Sequence, residues 1–252
     1  MDTILDKEWL ERSLEKLPHW QQNAYTSFSS MLTDNNAYPC VPARIGFLSN
    51  ELRFRFLGDP RIPETAEQLA STLKAYGGIS HETGKYASLG VFFYTPDDMA
   101  TTYRVEDYRG VFWTLMNSVT AIDETEWPSN IPEDPHHPNW EFCFNGEPYF
   151  AFCATPAHKV RKSRYQPCFF IAFQPRWVFK DINGSTPFGQ KIKKAIRQRL
   201  ATYDNIPIHP DLKWYGDTSN HEWKQYFLSD DETGSTKCPF TRMKNKLSSI
   251  LK

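Results

Sequence analysis

The stretch Trp140–Trp177 constrains this chain more than any other. Two aromatic runs, Trp140–Phe144 and Tyr149–Cys153, flank Asn145-Gly146-Glu147-Pro148. Asn-Gly between such runs predicts a tight hairpin, because both residues tolerate the positive φ that a two-residue reversal needs. A third run, Cys168–Phe173, is again aromatic and β-branched and can continue the sheet. Between the second and third runs lie Thr155-Pro156-Ala157-His158, then Arg161, Ser163 and Arg164. One histidine and a cluster of cations therefore leave the end of a buried strand together, and loops carried on a rigid sheet are where function is usually placed.

Helical periodicity surrounds this sheet. Asp6 is placed to cap a helix over Lys7–Leu17 that Pro18 ends, and a second helix is expected over Trp20–Leu32. Tyr38–Ala43 carries two prolines and reads as extended. Leu52-Arg53-Phe54-Arg55-Phe56 alternates as a strand with one buried and one cationic face. Pro63 opens a helix that Gly77-Gly78 is expected to close. Leu89–Tyr94 reads as a strand, and Val105–Ile122 has the clearest apolar stripe of any helix. Trp127–Asn139 holds four prolines and reads as a loop, and a last helix is expected over Pro187–Tyr203, its outer face lysine- and arginine-rich. With no internal repeat or low-complexity linker, the expected fold is a single α+β domain. Its central antiparallel sheet carries the Asn-Gly hairpin and is flanked by helices. Residues 1–36 form amino-terminal helices packing on the domain of residues 37–252.

Charge and cysteine usage exclude several classes. With 29 basic and 30 acidic residues, no net field draws the chain to nucleic acid or an anionic membrane. No apolar run approaches the length of a membrane span, and Met1–Leu17 lacks the apolar centre of a signal peptide. Five cysteines without a CxxC pair suit free thiols in a reducing cytoplasm.

Most catalytic motifs are missing: there is no GxGxxG, Walker loop, GxSxG or HExxH. His209-Pro210-Asp211 reads as a structural loop, and the adjacent His136 and His137 point apart in extended backbone. His158 differs, because Arg161 and Arg164 follow it in an aromatic region. A satisfied structural histidine is one reading. The other is haem, which needs aromatic walls, an imidazole for iron and guanidinium groups for its propionates.

The motifs extend this reading. Tyr38-Pro39-Cys40, Trp140–Pro148, Thr155–His158, Arg161–Arg164, Phe173–Trp177, His209–Leu212, Tyr215-Gly216-Asp217, Glu222–Tyr226 and Cys238-Pro239-Phe240 resemble the YqcI/YcgG family, in order and at compatible spacing. The resemblance covers about residues 37–240 and implies a haem-dependent N-oxygenase acting on a guanidine or amine nitrogen. Arginine or a derivative would be the substrate, haem b the cofactor, and dioxygen and an external electron donor the co-reactants. It favours His158 as the iron ligand, with Cys40 and His209 as rivals. Arg161, Arg164, Arg176 and Trp177 would complete the cofactor site. Glu141, Glu147, Asp217 and Glu222 are the acidic candidates for the substrate. A haem carrier or redox sensor without turnover is the alternative. The plainest alternative is a protein in which His158 and its arginines merely brace the hairpin.

Overall fold

The computed structural model describes residues 4–34, 37–182, 186–213 and 217–242. Trp214, Tyr215 and Gly216, part of the motifs above, lie outside the described residues. Six strands form one sheet in the order β1-β2-β3-β6-β5-β4. They are β1 (Leu5–Asp6), β2 (Leu52–Leu57), β3 (Ser88–Phe93), β4 (Phe142–Phe144), β5 (Glu147–Ala154) and β6 (Phe169–Pro175). The hairpin turns at Asn145 and Gly146, with φ of 50° and 79°, and pairs Phe144 with Glu147. β6 then lies antiparallel to both β5 and β3.

The sheet is mixed, not wholly antiparallel, because β2 and β3 run parallel. A parallel pair needs a long crossover, supplied by α4 (Pro63–Thr83). That helix passes through Gly77 and Gly78 and ends only at Gly84, whose φ is 131°. The expected stop fails because mid-helix glycine weakens a helix without breaking it. Tyr38–Ala43 is likewise not extended throughout: α3 spans Val41–Leu48 with Pro42 in its first turn. There a missing N–H removes no helical bond. Accordingly the strand expected between Phe47 and Leu57 begins at Leu52. The remaining helices are α1 (Lys7–Ser13), α2 (His19–Thr33), α5 (Asp97–Thr102), α6 (Val105–Ile122), α7 (Pro187–Asp204) and α8 (Trp223–Tyr226).

Strand alternation divides the interior into two cores. Leu89, Val91, Phe93, Phe169, Ile171 and Phe173 face α4, α6 and the carboxy-terminal aromatics Trp223, Tyr226 and Phe240. Phe54, Phe92, Phe170 and Ala154 face the other way, onto α1 and α2 through Leu10, Ala24, Tyr25 and Phe28. The central strands thus have no solvent face, which is why they read as continuous apolar runs. Gly90 lets the second core close: a Cβ there would stand 3.1 Å from the Phe170 ring and 3.3 Å from Phe54.

Two glycines of α4 should respond oppositely to alanine. At Gly78 a Cβ meets nothing within 4 Å, so Gly78→Ala should gain about 0.5–1 kcal/mol through helix propensity. At Gly84 the backbone conformation excludes a side chain, and a Cβ collides with Glu51. Gly84→Ala should lose roughly 1–3 kcal/mol. Urea titration of the two variants checks both signs.

Candidate functional site

The segment after β5 curls back onto its own strand. The Thr155 N–H donates to the Arg164 carbonyl at 2.9 Å, and the Gln166 N–H donates to the Thr155 carbonyl at 3.3 Å. The loop between is clamped to residues 228–231. One carboxylate, Asp230, accepts three successive backbone N–H groups, from Lys159 (3.0 Å), Val160 (3.0 Å) and Arg161 (2.7 Å). These donors hold the Asp230 carboxyl below the usual carboxylate range although burial pushes it up. An anion-binding concavity is therefore present, and the chain fills it with its own side chain.

His158 is buried, with both ring nitrogens engaged. Its Nδ1 lies 2.8 Å from the Thr155 hydroxyl, and Nε2 lies 3.0 Å from the Leu228 carbonyl. A carbonyl can only accept, so Nε2 carries the proton and Nδ1 accepts from Thr155. The Ala157 N–H donates to the same hydroxyl oxygen at 3.2 Å, leaving the hydroxyl proton for the imidazole. Burial pushes the His158 pKa down to about 4, with the Leu228 carbonyl opposing the shift.

The arginines that follow are also occupied. Arg161 donates to the carbonyls of Ser229 (3.0 Å), Asp231 (2.9 Å) and Pro207 (3.1 Å). Arg164 donates to those of Cys153 (3.3 Å), Tyr226 (3.3 Å) and Gln225 (3.2 Å), with its guanidinium 4.1 Å from the Phe152 ring centroid. Burial draws the Arg164 pKa down to about 10. His209, the third candidate, is buried with Nε2 at 3.1 Å from the Ser229 hydroxyl and Nδ1 accepting the Asp211 N–H at 3.1 Å.

The structure brings His158, Arg161 and Arg164 together but not Arg176 or Trp177. Those two follow the opposite end of β6, roughly 20 Å away along a seven-residue strand. Arg176 is paired with the buried carboxylates of Glu141 (2.8 Å) and Glu222 (3.2 Å). Trp177 stacks on His81 with centroids 4.5 Å apart. Two of the four acidic candidates are thus engaged in a buried ion pair on the α6 side of the sheet.

A cleft lies elsewhere, against the sheet. On the α2 side of β5 and β6 a small cleft of about 60 Å³ opens between the sheet and α2 and α3. Phe28, Tyr38, Phe152, Tyr165 and Phe170 wall it, and Cys40 reaches it from the amino-terminal end of α3. Burial pushes the Cys40 thiol up, while the Ala43 backbone N–H and the positive charge of Arg164 draw it down. Gln166 is 1% exposed. Its amide nitrogen lies 3.4 Å from the Met31 sulfur, but its amide oxygen has no hydrogen-bond partner. Among the described residues, no three His, Cys, Asp or Glu side chains are grouped to hold a metal ion. No helix among them is long and apolar enough to cross a membrane. All five cysteines are free thiols.

Gln166 was not foreseen from the sequence. It sits inside the motif-rich segment, but only the fold shows that its oxygen is buried and unpaired. Cys40 was visible through its Tyr-Pro-Cys motif, whereas its position beside β5 and β6 was not.

A six-stranded mixed sheet, with an aromatic-walled cleft reached by a cysteine and a buried basic loop beside it, marks this as a single-domain α+β protein. Residues 28–241 match the YqcI/YcgG family, and the chain belongs to it. It is 53% identical to YqcI of Bacillus subtilis (strain 168) over 246 residues, 97% of each chain. It is 54% identical to YcgG of the same organism over 243 residues, 96% of each chain. A third relative, from Streptomyces lavendulae, is named "Putative N(omega)-hydroxy-L-arginine synthase DcsA". It is 33% identical over 234 residues, 90% of this chain and 86% of that one. No solved structure matches.

The buried state of His158 has a pH signature. Unfolded, the ring takes its proton near pH 6.5; folded, only near 4. Its contribution is therefore intact above pH 6.5 and lost as pH falls toward 4. Unfolding free energy from urea titration should fall by about 1.4 kcal/mol per pH unit through that window on this account. His158→Gln should lose this part of the slope, and an identical slope in the variant would refute the assignment.

Proposed function

We propose that this protein N-hydroxylates a nitrogen of a small guanidino or amino compound, arginine or a derivative of it, as a haem-dependent monooxygenase. The relationship to DcsA, spanning nine-tenths of the chain, carries the reaction class. The aromatic cleft with Cys40 carries the place. Haem, when bound, supplies the activation of dioxygen that transfers one oxygen atom to nitrogen, with electrons from an external donor.

The residues differ in how well they suit that group. His158 offers no free nitrogen while Thr155 and Leu228 hold its ring, and Arg161, Arg164 and Arg176 have their donors directed at protein acceptors. The cleft offers a sulfur donor and aromatic walls, but at about 60 Å³ it has no room for the macrocycle unless α2 and α3 move from the sheet. Its aromatic walls exclude water, and Cys40 presents a soft sulfur donor that reaches it from a helix amino terminus. Burial pushes the Cys40 thiol up, and Arg164, buried behind Phe152, opposes that only in part with its positive charge. In this reading His158, Arg161 and Asp230 fix the loop that carries Ser163, Tyr165 and Gln166 into the cleft wall.

The test measures haem content and turnover together. Wild-type protein expressed with haem precursor should carry haem b and, given L-arginine, dioxygen and a reductant, yield a product heavier by one oxygen atom. Cys40→Ser should lose haem or the absorption signature of a thiolate ligand, while folded His158→Gln retains both. Retention in Cys40→Ser with loss in folded His158→Gln would return the ligand role to the histidine. Haem without turnover on any guanidine or amine would leave a carrier or sensor.

A further inference from the structure

A buried amide oxygen without a partner is a costly thing for a fold to keep. Leaving an acceptor unpaired forfeits the hydrogen bonds it makes with water in the unfolded chain. Gln166 keeps one at 1% exposure, in the wall of the cleft. Its backbone N–H is fixed to the Thr155 carbonyl and its amide nitrogen is turned toward the Met31 sulfur. Backbone and amide nitrogen are thus engaged on the protein side, and the oxygen is the group left to the ligand.

The surroundings narrow what that ligand presents. Among the described residues lining the cleft there is no Asp, Glu, Lys, Arg or His. Recognition of a nitrogen-bearing group there falls to neutral acceptors, and an apolar wall makes each such bond count for more. An amide oxygen takes an N–H and repels a second acceptor, so the cleft selects a group rich in N–H donors over a carboxylate or carbonyl of the same size.

We propose that Gln166 is the specificity-determining residue of this cleft, its Oε1 accepting an N–H from the guanidino or amino group of the substrate. This rests on the reading of the cleft given above. It adds a positioning residue, since a nitrogen fixed by one N–H bond is presented in a defined orientation.

The experiment is isothermal titration of L-arginine and of agmatine into the purified wild-type protein, Gln166→Leu and Gln166→Glu, with melting temperatures recorded alongside. Gln166→Leu should weaken both probes about tenfold, the loss expected for one hydrogen bond. Its melting temperature should stay level or rise, because the unpaired oxygen has gone. Gln166→Glu keeps an acceptor at that position and should bind at least as tightly as wild type. Wild-type binding with unchanged affinity in Gln166→Leu overturns the assignment alone. So does a fall in melting temperature with affinity retained, which marks a purely structural residue. No affinity of the wild type for either probe overturns the reading of the cleft together with it.

Discussion

Asp230 is the constraint on which the loop at the end of β5 depends. Three consecutive backbone N–H groups converge on its carboxylate, of which that of Arg161 is partly buried and the other two face solvent. Once they are fixed, the rest of the loop follows. Arg161 reaches the carbonyls of Ser229 and Asp231, and His158 reaches Leu228. The returning segment is then held against the end of β5. The cleft wall at Ser163, Tyr165 and Gln166 is a by-product of this closure.

That arrangement separates two jobs. One end of β5 and β6 is braced by charge: a histidine held neutral, two arginines spent on backbone carbonyls and an aspartate spent on backbone amides. The sheet face beside it carries no charge at the cleft, where Phe152 and Phe170 alternate with small and neutral side chains. Low-dielectric walls with a fixed cation behind them make an environment in which a thiol's acidity and a single hydrogen bond each weigh more than they would in water. The loop therefore matters to chemistry through what it holds in place.

Much of the fold was legible in sequence, for local reasons. Asn145-Gly146 announces its turn because few other pairs adopt that backbone, and the apolar stripe of Val105–Ile122 matches α6 to the residue. The readings that failed depend on partners remote in sequence. Pro42 looks the same in an extended segment as in a first helical turn. Gly77 and Gly78 look like a stop until Gly84 is known to supply one. Parallel pairing of β2 with β3 leaves no local mark: β2 alternates as an antiparallel strand would, and only β3 is buried on both faces. The same holds for the site. A histidine followed by two arginines has one spelling whether it meets a ligand or Leu228 and Asp230, seventy residues downstream. The cleft joins Cys40 to Gln166 across half of the chain, so neither announces the other.

The seventy-residue reach of that closure bears on how the chain is made. Strands β5 and β6 can pair as soon as both have left the ribosome, because they are neighbours in sequence. The loop between them cannot settle until the segment around Asp230, seventy residues further on, has emerged. Until then His158 and Arg161 stand beside a formed sheet without their partners, and loop closure over such a span is slow compared with hairpin formation. Closure of this loop thus waits on about seventy further residues: the end of β5 takes its final form only after the segment around Asp230 is available.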